Sequence, residues 1–261
     1  MEGTRRKRVD ELPDRTAERL PAGGTEVLAR AAGRSGELVL RCSGADLEVI
    51  AGGNFLISGA NAASSVALIT AGLSVLADAG LLHPAHGGAA RPGLEVLIGG
   101  LGLGYSLDAA LDEHRIARVT VVEYEPVIVD WFRNYGEARA MRLAAAEAVG
   151  RARVLIGDVA DLMRERSGAY DLVALDTDNG PDWLVRAGNA GLYDEAGLAL
   201  AHGALRPGGV AVFWSPERYD WFAARLAQTF ARVDAVAAYD QIGRRRYEYT
   251  MFVAQRAPSA A

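Results

Sequence analysis

The chain has 261 residues, is 50% hydrophobic and carries a formal net charge of -5. That length and apolar content suffice for one sizeable α/β domain with an appendage and exclude two full domains. The mild negative charge argues against a duplex nucleic-acid binder working through a basic face, and the single cysteine, Cys42, excludes an intrachain disulfide or a thiolate metal site, in keeping with a reducing, cytoplasmic setting.

Residues 1–35 are charged and punctuated by Pro13, Pro21, Gly23, Gly24 and Gly33, and they read as a flexible tail followed by a short helix over Glu26 to Ala32. Arg5 to Arg8 read as part of a solvated tail, and no apolar core follows them as a secretory signal would require. From Glu37 the short β runs ELVLRC, DLEVIA and NFLIS alternate with the turn pairs Ser43-Gly44 and Gly52-Gly53. This predicts a small antiparallel β-meander over residues 36–60. Ala60 to Leu82 reads as one long helix or two short ones, and its length and Asp78 make it a packed helix rather than a membrane span. His83 and His86, three apart in the loop that follows, have no evident third ligand and are read as loop residues, so no metal is expected. His114 and His202 fall in predicted helices and are given no role.

The chemistry begins at Leu94. Leu94 to Ile98 is an apolar run of the kind found in buried parallel strands, and it runs straight into Gly99, Gly100, Gly102 and Gly104. Tyr105 to His114 carries Leu107, Ala110 and Leu111 at helical spacing, and Val119 to Val122 is a β-branched strand that ends on Glu123. A glycine turn lets a ligand lie against the backbone, a helix amide end favours polar or anionic groups, and an acid at the next strand tip accepts hydrogen bonds from ribose hydroxyls. This unit is expected to bind a nucleoside.

The pattern then repeats. Pro126 to Arg139 reads as a helix, and a polar, alanine-rich stretch leads to a strand VLIG with Asp158, a helix Ala160 to Arg166, and a strand DLVAL ending on Asp176. After the loop TDNGPDW come a helix within Leu192 to Leu205, the strand VAVFW, a helix Tyr219 to Phe230, and two β runs, Val233 to Tyr239 and Tyr247 to Ala254, joined by the basic turn GRRR. Strands alternating with helices predict a doubly wound, mostly parallel, seven-stranded Rossmann-like α/β sheet whose last strand is antiparallel, preceded by the small β-meander. Residues 61–256 are assigned to this sheet domain and 257–261 to a tail. Glu123, Asp158 and Asp176 all end strands and are expected to face one crevice, although each alone would serve equally well as a helix cap. Trp183 and Tyr193 follow the Asp176 loop directly and are the aromatic candidates for an acceptor pocket, with Tyr105, Trp214, Tyr247 and Tyr249 as further ones.

The succession GGLGLG, VVEYEP, IGDV, LDTDNGP and LRPGGV resembles the class I methyltransferase fold that binds S-adenosylmethionine, and over Glu37 to Arg256 the chain is similar to its spermidine-synthase-like branch. The resemblance implies that Gly100, Leu101, Gly102, Gly104, Glu123, Tyr124, Asp158 and Val159 hold S-adenosylmethionine or its decarboxylated form, with Glu123 on the ribose and Asp158 with the Val159 amide on the adenine. It places Asp176 beside the sulfonium and the acceptor amine. Asp176, with Asp178 close by, is expected to take or steer the acceptor's proton, and Asn179, Trp183 and Tyr193 to line the acceptor site. The chain departs from aminopropyltransferases in its glycine turn, where Leu101-Gly102-Leu103 contains no acid to pair with the amine of the decarboxylated donor, and in FLISGANAASS, which lacks the tyrosine, histidine and glutamate expected near a polyamine. A buried ammonium without a counter-charge is costly, so transfer of methyl from intact S-adenosylmethionine to a small amine-bearing acceptor is slightly favoured. Aminopropyl transfer is the runner-up. Transfer of a 3-amino-3-carboxypropyl group, a non-catalytic cofactor-binding homologue and a nicotinamide dehydrogenase are further alternatives. Neither nucleic acid nor membrane is expected as a partner, and the exposed edges of the small β domain suggest a homodimer.

Overall fold

The computed structural model describes residues 24–59, 62–81, 93–177, 180, 189–242 and 244–259. Two sheets organise it. The first contains β1 (Thr25–Gly33), β2 (Gly36–Ser43), β3 (Asp46–Ala51) and β4 (Asn54–Ser58) in sequential antiparallel order. The short helix expected over Glu26 to Ala32 is not formed: these residues are the middle of β1, in register with β2 from Thr25 opposite Ser43 to Gly33 opposite Gly36. Alanine and glutamate favour a helix in isolation, but a hairpin closed by a tight turn recruits the segment into cross-strand pairs, and that tertiary gain outweighs local propensity.

The helix α1 (Ala62–Asp78) is continuous and leads to the second sheet. Its strands are β5 (Leu94–Gly99), β6 (Ile116–Glu123), β7 (Ala152–Ile156), β8 (Tyr170–Leu175), β9 (Leu205–Ser215), β10 (Arg232–Ile242) and β11 (Arg245–Gln255), in the order β10-β11-β9-β8-β5-β6-β7. All neighbours from β9 to β7 are parallel, and β11 is antiparallel to both β9 and β10. The doubly wound sheet with an antiparallel last strand is therefore present. The central strands β5 and β8 are apolar because both of their faces are covered. On one side lie α1 and α2 (Tyr105–Asp112), with Leu68, Ile69, Ile98, Leu172 and Val212 in the core; on the other lie α5 (Val159–Glu165), α7 (Glu195–Ala204) and α8 (Asp220–Thr229), with Leu97, Val173, Leu198, Phe213 and Phe222.

The segment after Glu123 holds two helices instead of one, α3 (Pro126–Tyr135) and α4 (Glu137–Ala148). Pro126 starts the first, where its missing N–H costs nothing. The chain breaks at Gly136, whose N–H closes on the Phe132 carbonyl at 2.8 Å, and at Glu137, which sits at φ 46. A short helix α6 (Ala190–Tyr193) precedes α7, and α2 ends at Asp112, leaving His114 in a turn. Leu103, Ile128 and Trp131 join Leu38, Leu40 and Val49 in a third apolar cluster that seats the small sheet on the large one. Among the described residues no helix is long and apolar enough to cross a membrane, and no group of three or more His, Cys, Asp or Glu side chains is arranged to hold a metal ion.

Candidate active site

The parallel ladder itself lines up the site. Its hydrogen bonds continue one residue beyond the strands: Gly100 N donates to Val122 O at 2.8 Å, Asp176 N to Gly99 O at 2.9 Å, and Gly157 N to Glu123 O at 2.9 Å. The carboxyl ends of β5, β6, β7 and β8 thus stop at one level, and the residues just past them surround a cleft. Gly100, Leu101, Gly102, Glu123, Tyr124, Asp158, Val159 and Asp176 line it, joined by Leu56 and Ile57 from β4, Ile128 from α3, and Glu125, Thr177 and Asn189.

The glycine turn needs its glycines. Gly100 has φ +92, and a Cβ there would overlap the Asp176 carbonyl oxygen; Gly102 and Gly104 also have positive φ. Gly104 is outside the cleft: it begins α2, its N–H donates to Leu101 O at 2.8 Å, and Phe132 packs where its Cβ would be.

Glu123 is 8% exposed and already bonded. Its Oε2 accepts from the Leu101 amide at 2.8 Å and its Oε1 from the Glu125 amide at 2.9 Å. Burial pushes its carboxyl above the usual range, and the amides of Glu125, Leu101 and Gly102 pull it partly back. Glu125 is also buried, with Oε2 accepting from Arg34 N and Oε1 from Ser35 N, both at 2.7 Å. One carboxylate therefore clamps both amides of the β1–β2 turn. Arg34 adds a hydrogen bond to Tyr124 O at 3.0 Å and lies 5.3 Å from the Tyr124 ring centroid. Asp158 begins α5, its side chain accepting from Ala160 N at 2.9 Å, and it lines the cleft as well.

Asp176 is different. Among the described residues its Oδ2 meets only hydroxyls, those of Ser65 and Ser106, each at 3.2 Å. Burial pushes its carboxyl up and these two hydroxyls pull it partly back. The neighbouring Thr177 has a buried hydroxyl with no hydrogen-bond partner among the described residues. Asn189 Nδ2 closes on Thr177 O at 3.2 Å.

Asp178, Asn179, Trp183, His83 and His86 lie outside the described residues. Tyr193 does not line the cleft. It is 4% exposed and packed 5.7 Å from Phe222 and 6.4 Å from Phe213, in the core on the α7–α8 side, because α6 turns it inward. Tyr105 stacks under the Arg139 guanidinium at 4.2 Å, and Trp214 pairs with Tyr249 at 5.2 Å. Ser65, Ser106, Glu125 and Asn189 were given no role from the sequence; of these only Glu125, in VVEYEP, stood inside a motif that marked the site.

No family model matches the chain. Polyamine aminopropyltransferase 1 of Streptomyces coelicolor is 30% identical over 155 residues, which is 57% of this chain. The match spans only 28% of that relative's length. A spermidine synthase solved in complex with the transition-state analogue AdoDATO superposes with a TM-score of 0.64 at 16% identity, covering 88% of this chain and 74% of that one. Human methyltransferase-like protein 13 in complex with SAH superposes with a TM-score of 0.54 at 20% identity, covering 75% of this chain and 83% of that one. The fold is that of class I methyltransferases in its spermidine-synthase-like form, with a small antiparallel sheet ahead of the seven-stranded one.

Proposed function

We propose that the chain is a transferase that moves the aminopropyl group of decarboxylated S-adenosylmethionine to a small amine. The observation that carries this reading is the charge of the cleft: Glu123, Glu125, Asp158 and Asp176 line it, and no Lys, Arg or His does so among the described residues. A sulfonium that also bears a free ammonium gains more from such walls than one whose ammonium is offset by its own carboxylate, which would meet no lining cation. On the sequence alone, the missing acid in Leu101-Gly102-Leu103 tilts the choice towards methyl transfer. Leu101 and Leu103 are buried, 5% exposed each, and the negative charge is supplied by the strand ends instead of the turn. The names of the Streptomyces relative and of the spermidine synthase neighbour support the same choice.

The residues fit such a donor. Gly100 and Gly102 leave backbone room, Glu123 is rigidly placed to accept from ribose hydroxyls, and Asp158 with Val159 flanks the adenine end. The unpartnered Thr177 hydroxyl sits beside Asp176, where a polar ligand group would be received. The bound donor supplies a carbon already activated by positive sulfur. The acceptor's nitrogen forms the new C–N bond as the C–S bond breaks, and the electron pair leaves with sulfur as a neutral thioether. Asp176 takes the amine proton. Its raised carboxyl makes it a better base than an exposed aspartate, and Ser65 and Ser106 fix its orientation. Positioning and water exclusion supply the remainder.

Incubation with intact and with decarboxylated S-adenosylmethionine and a panel of amines, followed by mass spectrometry of the released thionucleoside, tests this reading. Methylthioadenosine formed from the decarboxylated donor is the expected product. S-adenosylhomocysteine formed from the intact donor would establish methyl transfer instead.

A further inference from the structure

The glycine turn has two sides. Gly100, Leu101 and Gly102 line the cleft, while Leu103 turns away from it, 5% exposed and clustered with Leu40, Ile128 and Trp131. A carbonyl in so buried a residue needs a donor. It receives one from a distant element: Arg139, in the first turn of α4, donates its Nε–H to Leu103 O at 3.0 Å. The same guanidinium lies 4.2 Å from the ring centroid of Tyr105, the first residue of α2. One side chain thereby grips the exit of the turn on both sides of Gly104.

The shape of the turn decides where two amides point. Those of Leu101 and Gly102 both bond Glu123, the first at 2.8 Å. Gly102 at φ 51 and Gly104 at φ 80 have no Cβ to restrict them, so the conformation has to be held from outside. Arg139 itself arrives by way of a strained residue. α3 stops at Tyr135 and α4 restarts at Glu137, with only Gly136 between them. Glu137, at φ 46, is the one non-glycine residue at positive φ among the described residues, and strain of that kind persists only where its surroundings impose it. Two residues on, Arg139 N donates to Gly136 O at 3.0 Å. A helix turns about 100° per residue, so a restart one residue earlier or later would carry the Arg139 side chain off Leu103.

We propose that Arg139 is a positioning residue for the nucleoside end of the cleft: it holds the glycine turn so that the Leu101 and Gly102 amides stay on Glu123, and the left-handed Glu137 sets the phase of α4 that delivers it. This rests on the reading of Glu123 as the carboxylate that accepts from a ribose, and adds the residue that keeps it in place.

The test is calorimetric titration of the full chain with methylthioadenosine, together with amide hydrogen exchange measured without ligand. Arg139→Met keeps the apolar stem and loses the donor. It is expected to bind methylthioadenosine about tenfold more weakly, to exchange the Leu101 and Gly102 amides faster, and to raise the KM for decarboxylated S-adenosylmethionine more than it lowers kcat. Arg139→Lys, which keeps the charge without the planar fork, should fall between the two. Glu137→Pro, whose φ is locked negative, should reproduce the Arg139→Met behaviour, and the double variant should be no weaker than either single one. A lower Tm in Arg139→Met with unchanged affinity and unchanged exchange at Leu101 and Gly102 would overturn the proposal and leave Arg139 only joining α4 to α2. If Arg139→Met does not fold, Arg139→Lys decides, and natural exchange at the two amides in it contradicts the assignment. Failure of the natural chain to bind methylthioadenosine removes the nucleoside reading, whereas faster exchange at Leu101 and Gly102 in the variants still establishes what Arg139 holds.

Discussion

The two halves of the cleft hold their carboxylates in different ways. At the half proposed for the nucleoside, Glu123 and Glu125 are each held through both oxygens by backbone amides at 2.7 to 2.9 Å, and through them the glycine turn, the strand end and the β1–β2 turn form one bonded unit. At the half proposed for the acceptor, Asp176 has two side-chain hydroxyls at 3.2 Å and no backbone amide on its carboxylate among the described residues. Backbone amides lock a carboxylate to the fold and still leave it lone pairs for a ligand hydroxyl, whereas a carboxylate held by rotatable hydroxyls is placed to exchange them for a ligand's proton. The same residue type therefore does two jobs in one cleft, and the number of amide donors around each carboxylate separates them.

The contrast is broken most severely at Asp176. Asp176→Asn should lower kcat by about 10²- to 10⁴-fold, as expected for loss of a proton acceptor, while thermal unfolding shows stability held or raised, because burial opposes the lost charge. Retained turnover would remove Asp176 from the chemistry.

Glu123→Gln should do the opposite, costing stability before rate. Both oxygens of Glu123 accept from N–H groups, so an amide nitrogen would face a donor at one of them, a loss of about 1–3 kcal/mol that denaturant unfolding would register together with weaker nucleoside binding. Glu125→Gln should cost on the order of 1 kcal/mol and loosen only the hairpin, seen as faster amide exchange at Arg34 and Ser35 with little change in kcat.

The smallest effect is in pH dependence. Glu123 and Asp176 are both pushed above their ordinary values of 4.5 and 3.8. Their contribution to stability is therefore fully present below those values and is lost as pH rises through the raised folded ones. A cationic ligand favours the ionised form, so the Tm gain from decarboxylated S-adenosylmethionine should grow with pH across that interval. The gain from neutral methylthioadenosine should stay flatter, and Asp176→Asn should reduce the difference.

The half of the cleft proposed for the nucleoside is legible in the sequence because it is local. A buried strand, a glycine turn, a helix and an acid at the next strand tip occupy 30 consecutive residues, Leu94 to Glu123, and each has its own signature. The surroundings of Asp176 are assembled across the chain: Ser65 and Ser106 reach it from 111 and 70 residues away. No spacing rule reveals such pairs. The same limit explains β1, where cross-strand pairing overrode an alanine-rich composition, and Tyr193, whose position after Asp176 in the sequence suggested a pocket while α6 turned it into the core.

The central claim is that an acidic cleft selects a donor by its surplus positive charge. Calorimetry of the full chain with decarboxylated and intact S-adenosylmethionine at neutral pH measures this directly. The decarboxylated donor should bind about tenfold tighter or more, with the advantage shrinking as salt is raised; tighter binding of the intact donor would contradict the account.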